Sequence, residues 1–153
     1  MSEEEEEDRY PNPGFSPWHA HYKVEKYNDS KLGREPDEVI EWDGNLMMNA
    51  GTAYTTGANA YVAAGSGVAA ADHSDTTLTT EWGTGRKQAT AVVTNQSVAF
   101  SANYAAGQAT GVWEEVGVLN GPGADDLLNH VVASLGNKAG AAAWVLTITI
   151  TIS

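Results

Sequence analysis

The chain has 153 residues, no cysteine, and twenty acidic against eight basic residues, a formal charge of -12. That length makes one domain, which buries roughly 68–70% of its extended surface on folding, and the missing thiols exclude disulfides, a cysteine nucleophile and sulfur-held metals. The charge excludes a grip on nucleic acid or on an anionic membrane, since both are held through Lys and Arg.

So few bases, beside abundant Ala, Gly and Thr, fit a high-salt setting. There a Debye length of about 3 Å at 1 M screens the self-repulsion that opposes compaction. The composition is divided: residues 1–45 hold thirteen acids and five bases, and residues 46–153 hold seven and three.

MSEEEEEDRY has neither the positive start nor the apolar stretch of a secretory signal. Its like charges, Glu3 to Asp8, read as a loosely held tail. PNPGFSPWHAHY follows, in which Pro11, Pro13 and Pro17 keep the backbone extended and Phe15, Trp18 and Tyr22 are aromatics that water does not favour. Residues 1–22 are therefore expected to be an acidic, extended arm whose Phe15, Trp18 and Tyr22 anchor it on a neighbouring subunit or another protein, the alternative being an arm folded back on its own domain. Residues 23–153 are expected to be a single domain. YKVEKYN reads as a strand and NDSKLGREPDE as a turn-rich connector.

From residue 46 onward short β-like segments recur: NAYVAAG, QATAVVT, SVAFSANYA, GVWEEVGVLN, LLNHVVAS and WVLTITITIS. In the last, Trp144, Leu146, Ile148, Ile150 and Ile152 face one way and Thr147, Thr149 and Thr151 the other, the two-residue period of a sheet with one packed face. β-branched side chains suit that surface. LLNHVVAS also fits a two-turn helix, because Leu127, Val131 and Leu135 recur at four. The spacing of segments and turns such as GPGADD predicts a mainly β chain, an antiparallel sandwich or small barrel, and a jelly-roll-like sandwich is the expected form. WVLTITITIS carries no proline or charge to guard an edge, so it is expected to lie inside a sheet or to be covered by a neighbour.

The candidates for chemistry are few. HAH puts His19 and His21 on one side of an extended segment, two imidazoles without a third ligand, and reads as a solvated pair. Asp72, His73 and Asp75 in DHSD are ordinary turn residues that would suit a hard cation only in a folded cluster. Glu114 and Glu115 are adjacent, so a strand sends them to opposite faces. No GxSxG, P-loop or dinucleotide fingerprint occurs, and GSG and GTG read as turns. NDS and NQS are formal glycosylation sequons on loops. No catalytic residue, metal ligand or cofactor is assigned, and the chain is not expected to be an enzyme.

EWDGNLMMNAGTAY, GANAYVAAGSG, GVWEEVGVLN and LLNHVVASLGNKAGAAAWVLTITITIS, in that order, resemble small structural proteins of tailed phages and tailed archaeal viruses. The acidic balance resembles viruses of halophilic archaea. The resemblance covers residues 39–153 and not the acidic arm. It implies a virion protein, foremost a capsid decoration or cement protein on the outer shell. Its partners would be copies of itself, with a trimer as the typical form, and the major capsid protein or other virion proteins. A tail, neck or baseplate component is the alternative, and a host-recognition or carbohydrate-binding module is a second. Trp42, Asn45, Asn49, Trp113, Glu115, Asn120 and Asn129 carry the most recognisable wording. Trp42 and Trp113, with Trp144, Ile148 and Ile150, are expected to pack the core, and Glu115, Asn120 and Asn129 to tie loops through side-chain to backbone hydrogen bonds.

Overall fold

A computed structural model describes residues 18–29, 31–44, 60–72, 74–94, 97–122 and 127–152. Nine strands run through them: β1 (Trp18–Tyr27), β2 (Glu38–Gly44), β3 (Ala60–Gly65), β4 (Lys87–Gln88), β5 (Thr90–Thr94), β6 (Ser97–Tyr104), β7 (Gly111–Asn120), β8 (Leu127–Lys138) and β9 (Ala143–Ile152). No helix occurs among the described residues, and so none is long and apolar enough to cross a membrane. β8 takes up LLNHVVAS as a strand, because its neighbour β7 offers a ladder that an isolated two-turn helix cannot match.

The strands form two antiparallel sheets, a five-stranded one in the order β2-β1-β9-β6-β5 and a four-stranded one in the order β4-β3-β7-β8. The threonine-isoleucine strand is internal: β9 pairs with β1 on one side and β6 on the other. Leu146, Ile148 and Ile150 are buried and Thr147, Thr149 and Thr151 lie on the outer face.

One core joins the sheets. Ala20, Tyr22, Val24, Phe100 and Ile148 from the first meet Val62, Val116, Val118 and Leu128 from the second. At one end Trp113 stands between Tyr104 and Trp144, with ring centroids 4.9 Å apart in both pairs. The Trp113 indole N–H donates to the Ala109 carbonyl at 2.8 Å, so the polar end of a fully buried ring is satisfied. Two lysines are buried nearby. Lys138 donates to the Ala105 and Ala142 carbonyls, and burial, reinforced by Lys87, lowers its pKa. Lys26 donates to Leu135 at 2.6 Å, pairs with Glu38 at 3.1 Å and lies 4.4 Å from the Trp144 ring centroid.

The expected boundary between arm and domain is corrected by β1. Residues 18–27 are one continuous strand, so a division after residue 22 cuts through a central part of the sheet. Tyr22 is a core residue of its own chain and no anchor for a neighbour. It is 1% exposed, stacks on Trp42 with centroids 5.0 Å apart, and its hydroxyl accepts from Asn129. The alternation of β1, with Ala20, Tyr22 and Val24 buried, is what turns the ring inward. Trp18 begins that strand opposite Ile152. Phe15 lies outside the described residues.

Candidate functional site

The outer face of the four-stranded sheet is covered by its own chain. After β3 the chain leaves at Gly65 and returns along the strand, with Ser66 N–H donating to Thr80 and Trp82 N–H to Ala64. Leu78 from this segment packs on Ala63, Leu119 and Leu127, a second apolar cluster. Glu115 of β7 and His130 of β8 project to the same side, because Gly117, the partner of His130, is two residues from Glu115.

Under that segment Glu115 is fully buried, and its carboxylate is saturated with donors. Gly67 and Thr80 N–H groups reach Oε2 at 2.8 and 2.7 Å, and Thr79 N–H reaches Oε1 at 2.8 Å. His130 Nε2 lies 2.8 Å from Oε1, and its Nδ1 lies 2.8 Å from Asp75 Oδ2. Each ring nitrogen thus faces a carboxylate, and both bonds form only when the three groups hold two protons between them. Asp75 also accepts from the Asp72 N–H, and this bond, followed by the one to His130, lowers its pKa. Gly67 has no room for a side chain: a Cβ there would overlap Glu115 Oε2 and Thr79 Cβ. The His130 and Glu115 side chains are both 0% exposed, so no substrate atom reaches them. The arrangement is a clamp that fixes residues 66–81 on the sheet.

Glu115 therefore does tie a loop. Asn129 acts differently from a loop tie. It accepts from Val118 N–H where the β7–β8 register shifts, and it donates across the core to Tyr22 at 2.8 Å. Asn120 closes β7 opposite Ala60. Trp113, Trp144, Ile148 and Ile150 are all buried, whereas Trp42 is half-buried and its buried indole N–H has no partner among the described residues. Asn45, Asn49 and His73 lie outside the described residues. Sequence reasoning missed His130, Gly67 and the part played by Asp75. The signal was a pair of adjacent polar residues, Glu114–Glu115 and Asn129–His130, inside each of two largely apolar strands, GVWEEVGVLN and LLNHVVAS, near a GSG that permits close approach.

The exposed face of the five-stranded sheet has a graded character. At the β2–β1 side, His21 lies between Asp43 (2.8 Å) and Glu41 (3.1 Å), and His19 is 3.2 Å from Asp43. Hydrogen bonds to Asp43 and then to Glu41 raise the His21 pKa, and the bond from His21 lowers that of Asp43. Among the described residues no group of three or more His, Asp and Glu is arranged to hold a metal ion. Toward the other side charge disappears. Thr147, Thr149 and Thr151 of β9 pair with Ser101, Ala99 and Ser97 of β6, and Ser97 and Thr151 share a hydroxyl hydrogen bond of 2.7 Å. Thr90, Val92 and Thr94 of β5 continue these rows. Residues 88–113 and 139–153 contain no Asp, Glu, Lys or Arg.

The chain matches no family model, no curated protein and no solved structure.

Proposed function

We propose that this chain is a virion structural protein, a capsid decoration or cement protein that stabilises the outer shell of a tailed virus of a halophilic host. The observation that carries this reading is the separation of charge on the five-stranded sheet. A chain of net charge -12 keeps β5, β6 and the outer side of β9 free of charge, and depletion of charge marks the cores of protein interfaces. That face would dock on the major capsid protein, and the acidic remainder would face solvent and keep particles mutually repulsive. On this reading the sandwich is jelly-roll-like, the residues before β1 form an extended arm that carries Phe15 to the shell, and copies associate, with a trimer at threefold positions.

A protein that binds the assembled shell and not free subunits stabilises it by mass action. Particles stripped of the chain are expected to lose their genome at lower temperature, and adding the purified protein back in high salt is expected to restore them. Replacement of Ala99 by Glu should abolish that restoration while the isolated protein melts as before. Stripped particles that melt like complete ones, or a chain retained on isolated tails only, would overturn the reading.

A further inference from the structure

Among the described residues, β5 is an edge strand that nothing guards. It ends the five-stranded order, and among the described residues no strand pairs with its free side. An exposed edge presents a row of unpaired N–H and C=O groups, and proteins normally blunt it with charge, proline or brevity. The other edges of this fold are blunted. β2 carries Glu38, Glu41 and Asp43, β4 has two residues, and β8, the long edge of the four-stranded sheet, is interrupted by two register shifts against β7. β5 reads TAVVT, without charge or proline, and Val92 and Val93 are 55% and 62% exposed.

We infer that β5 is a self-association edge, pairing antiparallel with β5 of a second copy to make one continuous ten-stranded sheet. The sequence is close to its own reverse. With a two-fold axis at Val92, Thr90 meets Thr94 of the other copy, Ala91 meets Val93, and Val92 meets Val92. Such isologous self-complementarity is what a closed two-fold contact requires. The side-chain pairs are sound as well: β-branched residues face each other on one side, and on the other Ala91 leaves room for Val93. Val93 gains most, since it stands opposite the buried Val98 on the core side of the sheet and yet is largely uncovered.

Two further properties follow from area and charge. Five residues a side bury well under the roughly 1,200–2,000 Å² of a stable complex, so the dimer is weak and concentration-dependent. Two bodies of formal charge -12 meet through a neutral seam, so salt removes repulsion and no attraction. Association should therefore strengthen with NaCl. This contact uses the strand edge, not the sheet face assigned to the shell, and it stands or falls independently of the virion reading.

The absence of cysteine makes the test clean. A Val92→Cys chain carries a single thiol, and cross-strand neighbours sit within the roughly 4.4–6.8 Å that a disulfide spans. On mild oxidation it should form covalent dimers several-fold faster than a Val68→Cys chain, whose site is 72% exposed on the loop after β3. The yield should rise between about 0.1 and 2 M NaCl as screening tightens. In sedimentation, Val92→Lys should remove the wild-type's concentration-dependent association while melting like the parent. Equal crosslinking of the two thiol variants overturns the proposal. So does wild-type sedimentation that Val92→Lys leaves unchanged, or association that weakens with salt, and so does a Val92 thiol shielded by its own chain.

Discussion

At the scale of single residues, Glu115 carries the most consequence. Removing it strands three backbone donors and His130 beneath residues 66–81, and breaking a buried ionic network costs about 3–5 kcal/mol. Glu115→Ala is therefore expected to lower the unfolding free energy measured in urea by that amount and to expose the bond near Leu78 to thermolysin before global unfolding. Unchanged cleavage would show that Leu78 alone holds the segment. His21 offers a second check, by NMR titration. Its pKa is raised above the ordinary 6.5, so its contribution to stability is full below that value and is lost as pH rises through the raised one. That of Asp43 is lowered from 3.8, so its contribution holds above 3.8 and is lost as pH falls through the lowered value. The pair therefore supports the fold most fully between pH 3.8 and 6.5. Asp43→Asn should move the His21 midpoint down. A midpoint indifferent to Asp43 would show that the two side chains do not pair in solution. Glu115 as a loop tie was legible from the resemblance, and a carboxylate buried in a strand must in any case find donors. Its partners were not, because Gly67, Asp75, Thr79 and Thr80 reach it only through a chain reversal that no local periodicity records.

At the scale of elements, β9 is held from both sides and from beneath. Its strict alternation made its inward face readable from periodicity alone, and the lack of any edge guard left an internal position or cover by a neighbour, of which the structure shows the first. Trp144 anchors it, packed on Trp113 and under the Lys26 ammonium. Trp144→Ala should cost about 3–5 kcal/mol, measured by denaturant melting, and a variant that melts like the parent would show the face to be uncovered. β1 was harder to read. YKVEKYN reads as its second half, whereas Pro11, Pro13 and Pro17 gave the residues before Tyr22 the look of an arm. What decides its place is the ten-residue ladder with β9, from Trp18 opposite Ile152 to Tyr27 opposite Ala143. A chain beginning at residue 23 would lose half of that ladder together with Tyr22, and it is expected not to fold at all. If it folds with native-like circular dichroism, β1 is dispensable. β8 shows the reverse ambiguity: a four-residue recurrence fits a helix equally well, and only the pairing with β7 selects the strand.

At the scale of the whole molecule, charge dominates. A formal charge of -12 on 153 residues repels itself, and that repulsion fades as the Debye length falls from about 10 Å at 0.1 M to about 3 Å at 1 M salt. The melting temperature is expected to rise steadily from about 0.1 to 2 M NaCl, and loss of stability over that range would contradict adaptation to salt. Among the described residues the same charge distribution leaves the β5-β6-β9 face neutral, and on this the proposed place on a virus shell rests. Cryo-electron microscopy of purified particles tests it most directly. The account predicts density for a two-sheet sandwich on the capsid exterior, with the β5-β6-β9 face against the major capsid protein and β2 toward solvent. Particles whose shells lack that density, or in which the acidic β2–β1 side meets the shell, would contradict it.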